Sequence, residues 1–266
     1  GYNPPAAINK VQTAIDEVIK SAKTKELYNI QLMSDVHMSP RNSAEEGAYG
    51  DTQKAFTDAM NFALELFPDT KGLIVAGDIT NFGRETEYAR YVEAIQNSGM
   101  PFVFTAIGNH EYNDYWDDPL TAQKNFLTNI NKYYEHKGFP TADKVYYDTY
   151  IENTHVIALG SEGAPARTGP DDKWSDTKAT ISDAQLKWFE SKLAETNPGE
   201  PIFVILHQPL ENTHWLSDEW GVGEKDAELK AILSNYPQAV IISGHVHNGY
   251  VGDKAYFNDG YGVCLD

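Results

Sequence analysis

Seven side chains able to hold a metal ion stand where apolar runs of this chain stop. Leu73-Ile74-Val75-Ala76 runs into Gly77-Asp78, and Asn29-Ile30-Gln31-Leu32-Met33-Ser34 runs into Asp35-Val36-His37. Phe102-Val103-Phe104-Thr105-Ala106-Ile107 ends in Gly108-Asn109-His110-Glu111, and Ile202-Phe203-Val204-Ile205-Leu206 ends in His207. Ala239-Val240-Ile241-Ile242-Ser243 ends in Gly244-His245-Val246-His247. Imidazole suits zinc, iron, nickel and copper, whereas carboxylate and amide oxygens suit harder ions such as manganese. The mixed nitrogen and oxygen set Asp35, His37, Asp78, Asn109, His207, His245 and His247 suits hydrolytic metals and is too large for one such ion. Two ions sharing a carboxylate would use it fully, because a carboxylate has two oxygens and several lone pairs.

These donors need elements that bring them together. Each apolar run reads as a buried strand that delivers its last residues to the rim of a sheet. Open α/β sheets bind ligands just beyond the carboxyl ends of their strands, so the five ends should converge. Helical spacing is expected between the strands, at 51–67, 84–97, 121–136, 182–196 and 225–236. In the first of these Asp51 is the N-cap, Pro68 follows the end, and Ala55, Phe56, Ala59, Phe62, Ala63 and Leu66 form the inner face. Ser182 followed by Gln185 reads as a capping box. Residues 146–151 and 154–159 form an expected hairpin turning at Glu152-Asn153, and 250–257 with 261–265 another around Asn258-Asp259-Gly260. Loops are expected at 38–50, 111–118, 161–178 and 212–223. Strands alternating with helices indicate α/β architecture.

At 266 residues the chain is long enough for one sizeable core. The motifs spread from Asp35 to His247, so one catalytic domain over 1–266 is expected. Within it, 1–27 forms a helical arm, with Ile8, Val11, Ile15, Val18 and Ile19 on one face of a helix at 8–23. The last strand reaches the final residues, which suggests a longer natural chain. The net charge is −18 and no Lys/Arg run is visible, so nucleic-acid duplexes are not expected partners. The single cysteine, Cys264, excludes an internal disulfide framework and a cysteine-based zinc site. No apolar stretch approaches a membrane span. Abundant Tyr and Asn, with Arg scarce beside Lys, lean towards an exported or cell-envelope bacterial protein over a cytoplasmic one.

The blocks Asp35-x-His37, Gly77-Asp78, Gly108-Asn109-His110-Glu111, His207 and Gly244-His245-x-His247, in this order, resemble the calcineurin-like metallophosphoesterases. The resemblance implies a four-layer αββα sandwich, two mixed β-sheets flanked by helices, with a dinuclear metal site at the strands' C-terminal ends. It implies two divalent or trivalent ions, drawn from manganese, iron and zinc. It assigns Asp35, His37, Asp78 and His247 to one ion and Asp78, Asn109, His207 and His245 to the other, with Asp78 bridging. His110 matches the family's catalytic histidine, which contacts the phosphate or the leaving group rather than a metal. The protein Ser/Thr phosphatases carry Gly-Asp-x-x-Asp-Arg-Gly in the second block, where this chain has Asn81 and Phe82 for the Asp and Arg. The metal-binding Tyr of the purple acid phosphatases is missing as well. The pattern is nearer the bacterial phosphodiesterase and phosphohydrolase branch.

The expected reaction is attack of an activated hydroxide on a small phosphate ester, a phosphodiester or a phosphomonoester, in line with the leaving oxygen. Two other readings stand beside it: a dinuclear hydrolase of non-phosphate esters or amides, and a non-catalytic module that keeps the metals. Several residues have a bland reading of equal weight. His136 and His155 read as ordinary helix-end and strand residues. Tyr112, Tyr115, Trp116, Trp174, His214, Trp215 and Trp220 read as pocket lining or as packed loop. Arg41 is a candidate phosphate contact. Glu111 either orients a metal ligand or is an ordinary helix-start acid.

Overall fold

The computed structural model describes residues 28–39, 51–164, 178–247, 256–258 and 263–265. The arm at 1–27, Arg41, Trp174, and the tip of the C-terminal hairpin lie outside the described residues.

Strands β1 (Gln31–Met33), β2 (Leu73–Val75) and β3 (Val103–Thr105) form a parallel sheet in that order. The second sheet contains β4 (Tyr147–Ile151), β5 (Thr154–Ala158), β6 (Ile202–Ile205), β7 (Ala239–Ile242), β8 (Tyr256–Asn258) and β9 (Val263–Leu265), ordered β4-β5-β6-β7-β9-β8. Its middle strands are parallel, and β4 and β8 add antiparallel edges. Only this second sheet is mixed among the described residues. The reason lies in the connections: α1 (Thr52–Leu66) and α2 (Glu85–Asn97) carry the chain back between consecutive strands of the first sheet, and a helical crossover joins parallel neighbours.

The layers are visible in the strand periodicity. In β6, Ile202 and Val204 enter a core with Leu186, Phe189 and Leu193 of α4 (Asp183–Leu193). Leu229 and Leu233 of α6 (Asp226–Leu233) complete that core. Phe203 and Ile205 point the other way, into a core shared with the first sheet, α1, α2 and α3 (Pro119–Lys137). β7 repeats the split, Ala239 and Ile241 against Val240 and Ile242. Alternation with a period of two, apolar on both faces, marks a sheet covered on each side. The order is therefore helix, sheet, sheet, helix.

Two local expectations are corrected. In α1 the buried residues are Thr52, Phe56, Met60 and Ala63, while Phe62 is 48% exposed and Ala55 and Ala59 face solvent. The inner stripe follows the large side chains Phe56 and Met60, and alanines lend little weight to either face. The box at α4 is only half formed: Ser182 Oγ accepts from Gln185 N at 3.1 Å. The buried Gln185 amide instead clasps the Gly160 backbone, accepting from its N–H at 3.0 Å and donating to its carbonyl at 2.9 Å. The outer edge of β3 is closed by side chains: Val103 N donates to Tyr133 Oη at 3.0 Å and Thr105 N to Tyr134 Oη at 3.1 Å. Tyrosines on α3 thus satisfy strand donors that would otherwise be open to another chain.

Candidate metal centre

The strand ends meet. Asp35, His37, Asp78 and His247 place one nitrogen or oxygen each within 4.8 Å of one another, and Asp78, His207 and His245 do the same. Asp78 belongs to both groups. His247 Nε2 lies 3.0 Å from Asp35 Oδ1, His37 Nε2 3.1 Å from His247 Nε2, and His207 Nε2 3.1 Å from Asp78 Oδ2. Asp35 and Asp78 are further tied by backbone donors: His245 N reaches Asp35 Oδ2 at 3.0 Å, and His110 N reaches Asp78 Oδ1 at 2.8 Å. His207 donates Nδ1–H to Ala76 O at 2.7 Å, which leaves Nε2 to face Asp78. A carbonyl on the far nitrogen is the usual way a metal-binding imidazole is aimed.

Backbone strain collects here. Asp35, His37, Asp78, His245 and His247 all have left-handed backbones, with φ of 55°, 45°, 48°, 78° and 53°. Each such residue costs of order 1–3 kcal/mol, and such strain clusters at functional sites. Two glycines permit the crowding. A Cβ on Gly108 would overlap the Asp78 carboxylate and backbone nitrogen, and one on Gly244 would overlap Ser34 and the Asp35 carboxylate.

The electrostatics are those of a cluster built for cations. Burial opposes ionisation of Asp78, yet His207, His110 and His37 hold its carboxyl well below the ordinary range. Burial likewise disfavours charge on Asp35, and His247 and His37 outweigh it. Burial works against protonation of His207, but Asp78 and then Asp35 push it up to about 10. His245 goes the other way, down to about 3, through burial and the neighbouring His207. Asn109 Oδ1 is buried and has no hydrogen-bond partner among the described residues. A buried amide oxygen without a hydrogen-bond partner, on the residue before His110 whose backbone N–H reaches Asp78, fits a metal-binding donor set, because an unpaired buried polar atom is costly.

Glu111, left open between two readings, is wholly buried and joins the second and third blocks. It accepts from Gly108 N at 2.7 Å, Thr80 N at 2.8 Å and Thr80 Oγ1 at 2.9 Å. Burial and the nearby Asp78 push its carboxyl up to about 7. The His110 ring packs edge-on to His37 at 4.4 Å, with Nε2 3.9 Å from Asp78 Oδ2. Burial, aided by His37, lowers its pKa against the pull of Asp78. Its Nδ1 lies 3.0 Å from Asn81 O and 2.9 Å from Asn113 Nδ2. Asn113 went unnoticed in the sequence; its signal is the three-residue spacing, which a 3₁₀ turn at His110–Tyr112 converts into contact. Trp220 is in ring contact with a strand-end histidine, 5.8 Å from His245.

The calcineurin-like phosphoesterase family profile matches residues 28–249. The chain belongs to the calcineurin-like phosphoesterases. As a member it is a metal-dependent hydrolase of phosphoric esters. It is 25% identical, over 81% of its length, to the probable glycerophosphodiester phosphodiesterase GpdQ of Arcobacter nitrofigilis, and spans 70% of that protein. It is 22% identical, over 66% of its length, to the 3',5'-cyclic adenosine monophosphate phosphodiesterase CpdA of Escherichia coli K12, and spans 54% of it. The crystal structure of a dimetal phosphatase from Danio rerio superposes with a TM-score of 0.59 at 15% identity, covering 90% of this chain and 86% of that one. That likeness is one of fold. Among the described residues no helix is long and apolar enough to cross a membrane.

Proposed function

We propose that this calcineurin-like phosphoesterase hydrolyses phosphodiesters at two metal ions held by Asp35, His37, Asp78 and His247 on one side and by Asp78, Asn109, His207 and His245 on the other. The observation that carries this reading is the single carboxylate, Asp78, common to two groups of donor atoms. The donor set contains imidazole and oxygen but no thiolate, which suits manganese, iron or zinc. When bound, two such ions supply an acidified water as nucleophile and positive charge for the phosphoryl oxygens.

The chain's own residues do the rest. Asp78 sets the spacing between the two donor groups, its Oδ1 pinned by His110 N. His110 is a member of neither donor group, and its Nδ1 side is occupied by Asn81 O and Asn113. Asn81 O accepts from the imidazolium, and the Asn113 amide donates to the neutral ring. In both forms a proton can remain on Nε2, where it donates to a phosphoryl oxygen or to the leaving oxygen. Preference for diesters follows from charge. A monoester dianion asks for more positive charge, and Phe82 stands in the second block where the protein phosphatases carry Arg. Of the two relatives named above, one is a probable glycerophosphodiester phosphodiesterase and the other a cyclic adenosine monophosphate phosphodiesterase.

The test is turnover of bis-p-nitrophenyl phosphate with added manganese, beside p-nitrophenyl phosphate and a panel of esters and lactones without phosphorus. Diesterase activity exceeding monoesterase activity is expected. Turnover of only the phosphorus-free substrates, or stoichiometric metal with no turnover at all, would overturn the proposal.

A further inference from the structure

We infer that Trp220 is a stacking platform beside the metal centre and selects phosphodiesters with a planar ring on one ester arm, such as a nucleobase or an aryl group. The inference rests on the diesterase reading above and names the substrate class for the same site. Its indole lies 5.8 Å from the His245 ring at 47°, and the residue is 40% exposed. An indole held at a catalytic rim with much of its surface in water leaves apolar area that a flat ligand would cover.

The position of Trp220 is built. The loop leaves β6 at His207 and is cinched where Val222 N donates to Pro209 O at 2.9 Å. Inside it, Ser217 Oγ accepts from Thr213 N and His214 N at 3.0 Å each and donates to His214 O at 2.7 Å. Leu216 takes a left-handed φ of 65° to start the single turn α5 (Ser217–Trp220), and Trp220 N closes that turn onto Leu216 O at 2.8 Å. Gly221 then packs so tightly that an added Cβ would overlap Ser217 O. These bonds hold the loop between Pro209 and Val222 together and fix where the indole stands. Stacking on an aromatic side chain tolerates any base or aryl ring, because every such ring offers a π-face.

The experiment uses the metal-loaded full chain with Trp220→Ala and Trp220→Phe. Two probes are compared: bis-p-nitrophenyl phosphate, with rings on both arms, and glycerophosphoethanolamine, with alkyl arms only. The kcat/KM ratio of the first over the second should fall on the order of tenfold in Trp220→Ala. The fall should come through KM, and Trp220→Phe should recover most of it. Metal content should stay at the wild-type level in both variants. An unchanged ratio, or equal losses on both probes, overturns the inference while leaving the diesterase reading standing. Loss of metal in Trp220→Ala together with Trp220→Phe also overturns it, by making the indole a support for His245. Wild-type protein inactive on both probes overturns the diesterase reading and this inference with it.

Discussion

Among the described residues, histidine and carboxylates come within 4.8 Å of one another at two places, and these differ in almost every other respect. One is the strand-end cluster around Asp78. The other is Asp148, His155 and Glu195 beside β4 and β5, whose donor atoms also lie within 4.8 Å of one another. Closest contacts are alike: His155 Nε2 is 3.0 Å from Asp148 Oδ2, and His207 Nε2 is 3.1 Å from Asp78 Oδ2. At the second place, however, a cation is already present. Lys192 Nζ stands 3.4 Å from Asp148 Oδ1 and 3.1 Å from Glu195 Oε1. His155 has both nitrogens engaged, the second by Thr196 Oγ1 at 2.7 Å, and Tyr150 stacks on its ring at 4.4 Å. None of its members has a left-handed backbone. Proximity of donors therefore does not define a metal centre. A stranded amide oxygen, a shared carboxylate and strain at five donors set the strand-end cluster apart, and a satisfied ion-pair network reads as structure.

The sharpest way to break the comparison is to remove one carboxylate from each place. Asp78→Asn should bring metal content close to zero and abolish turnover, because it weakens the ligand common to both groups. His37→Ala should leave about one ion per chain. Asp148→Asn should change neither metal content nor turnover. Elemental analysis of the three purified variants decides it, and full occupancy in Asp78→Asn would sink the shared-ligand assignment.

His110→Ala comes next in size. Near-normal metal content is expected, with kcat down about a hundredfold to ten-thousandfold on alkyl esters and less on nitrophenyl esters. A poor leaving group depends most on a donated proton, so the gap between ester types is the diagnostic. Loss of metal with activity would make His110 a ligand or support. A kcat unchanged from wild type on both ester types would remove it from the chemistry.

Much of this was legible in the residues alone, and what was missed has a physical reason. The convergence of the strand-end side chains could be read because an apolar run ending in Gly-Asp or Gly-His shows both the strand and the rim. The layer order came with the family pattern. Glu111 could not be settled, because its role depends on Thr80 arriving from another segment. The left-handed donors left no trace either, since nothing about Asp35 or His245 as residue types reports φ. Ala55 and Ala59 misled because small residues fit inner and outer helix faces alike. His155 read as a plain strand residue, and its buried bonds to Asp148 and Thr196 are contacts that only folding makes.

A smaller effect sharpens the comparison from the other side. If Lys192 is what fills the second cluster, Lys192→Met should open it. The variant should bind one additional zinc ion weakly in a titration, at micromolar or poorer affinity, with phosphoesterase activity unaltered. Wild-type protein showing the same extra site would mean that the lysine is no barrier and that the two clusters differ less than their surroundings suggest.

The smallest expected effect is a pH dependence of stability. Burial alone would raise the Asp148 pKa, but the His155 hydrogen bond and the Lys192 charge outweigh it and hold the carboxyl below its ordinary value. A carboxylate depressed in the folded state contributes stability that is fully present above its unfolded pKa of about 3.9 and is lost as pH falls through the folded value. Asp148 is only partly buried, so solvent screening keeps this contribution within about 1 kcal/mol. Wild-type and Asp148→Asn proteins should therefore differ in urea midpoint at pH 6, and that difference should shrink progressively below pH 4. Metal must be removed from both first, so that protonation of the strand-end cluster does not add its own loss. A gap that stays constant from pH 6 down to pH 2.5 would mean that Asp148 supports the fold through packing and not through charge, and the second cluster would lose its standing as an ion-pair network.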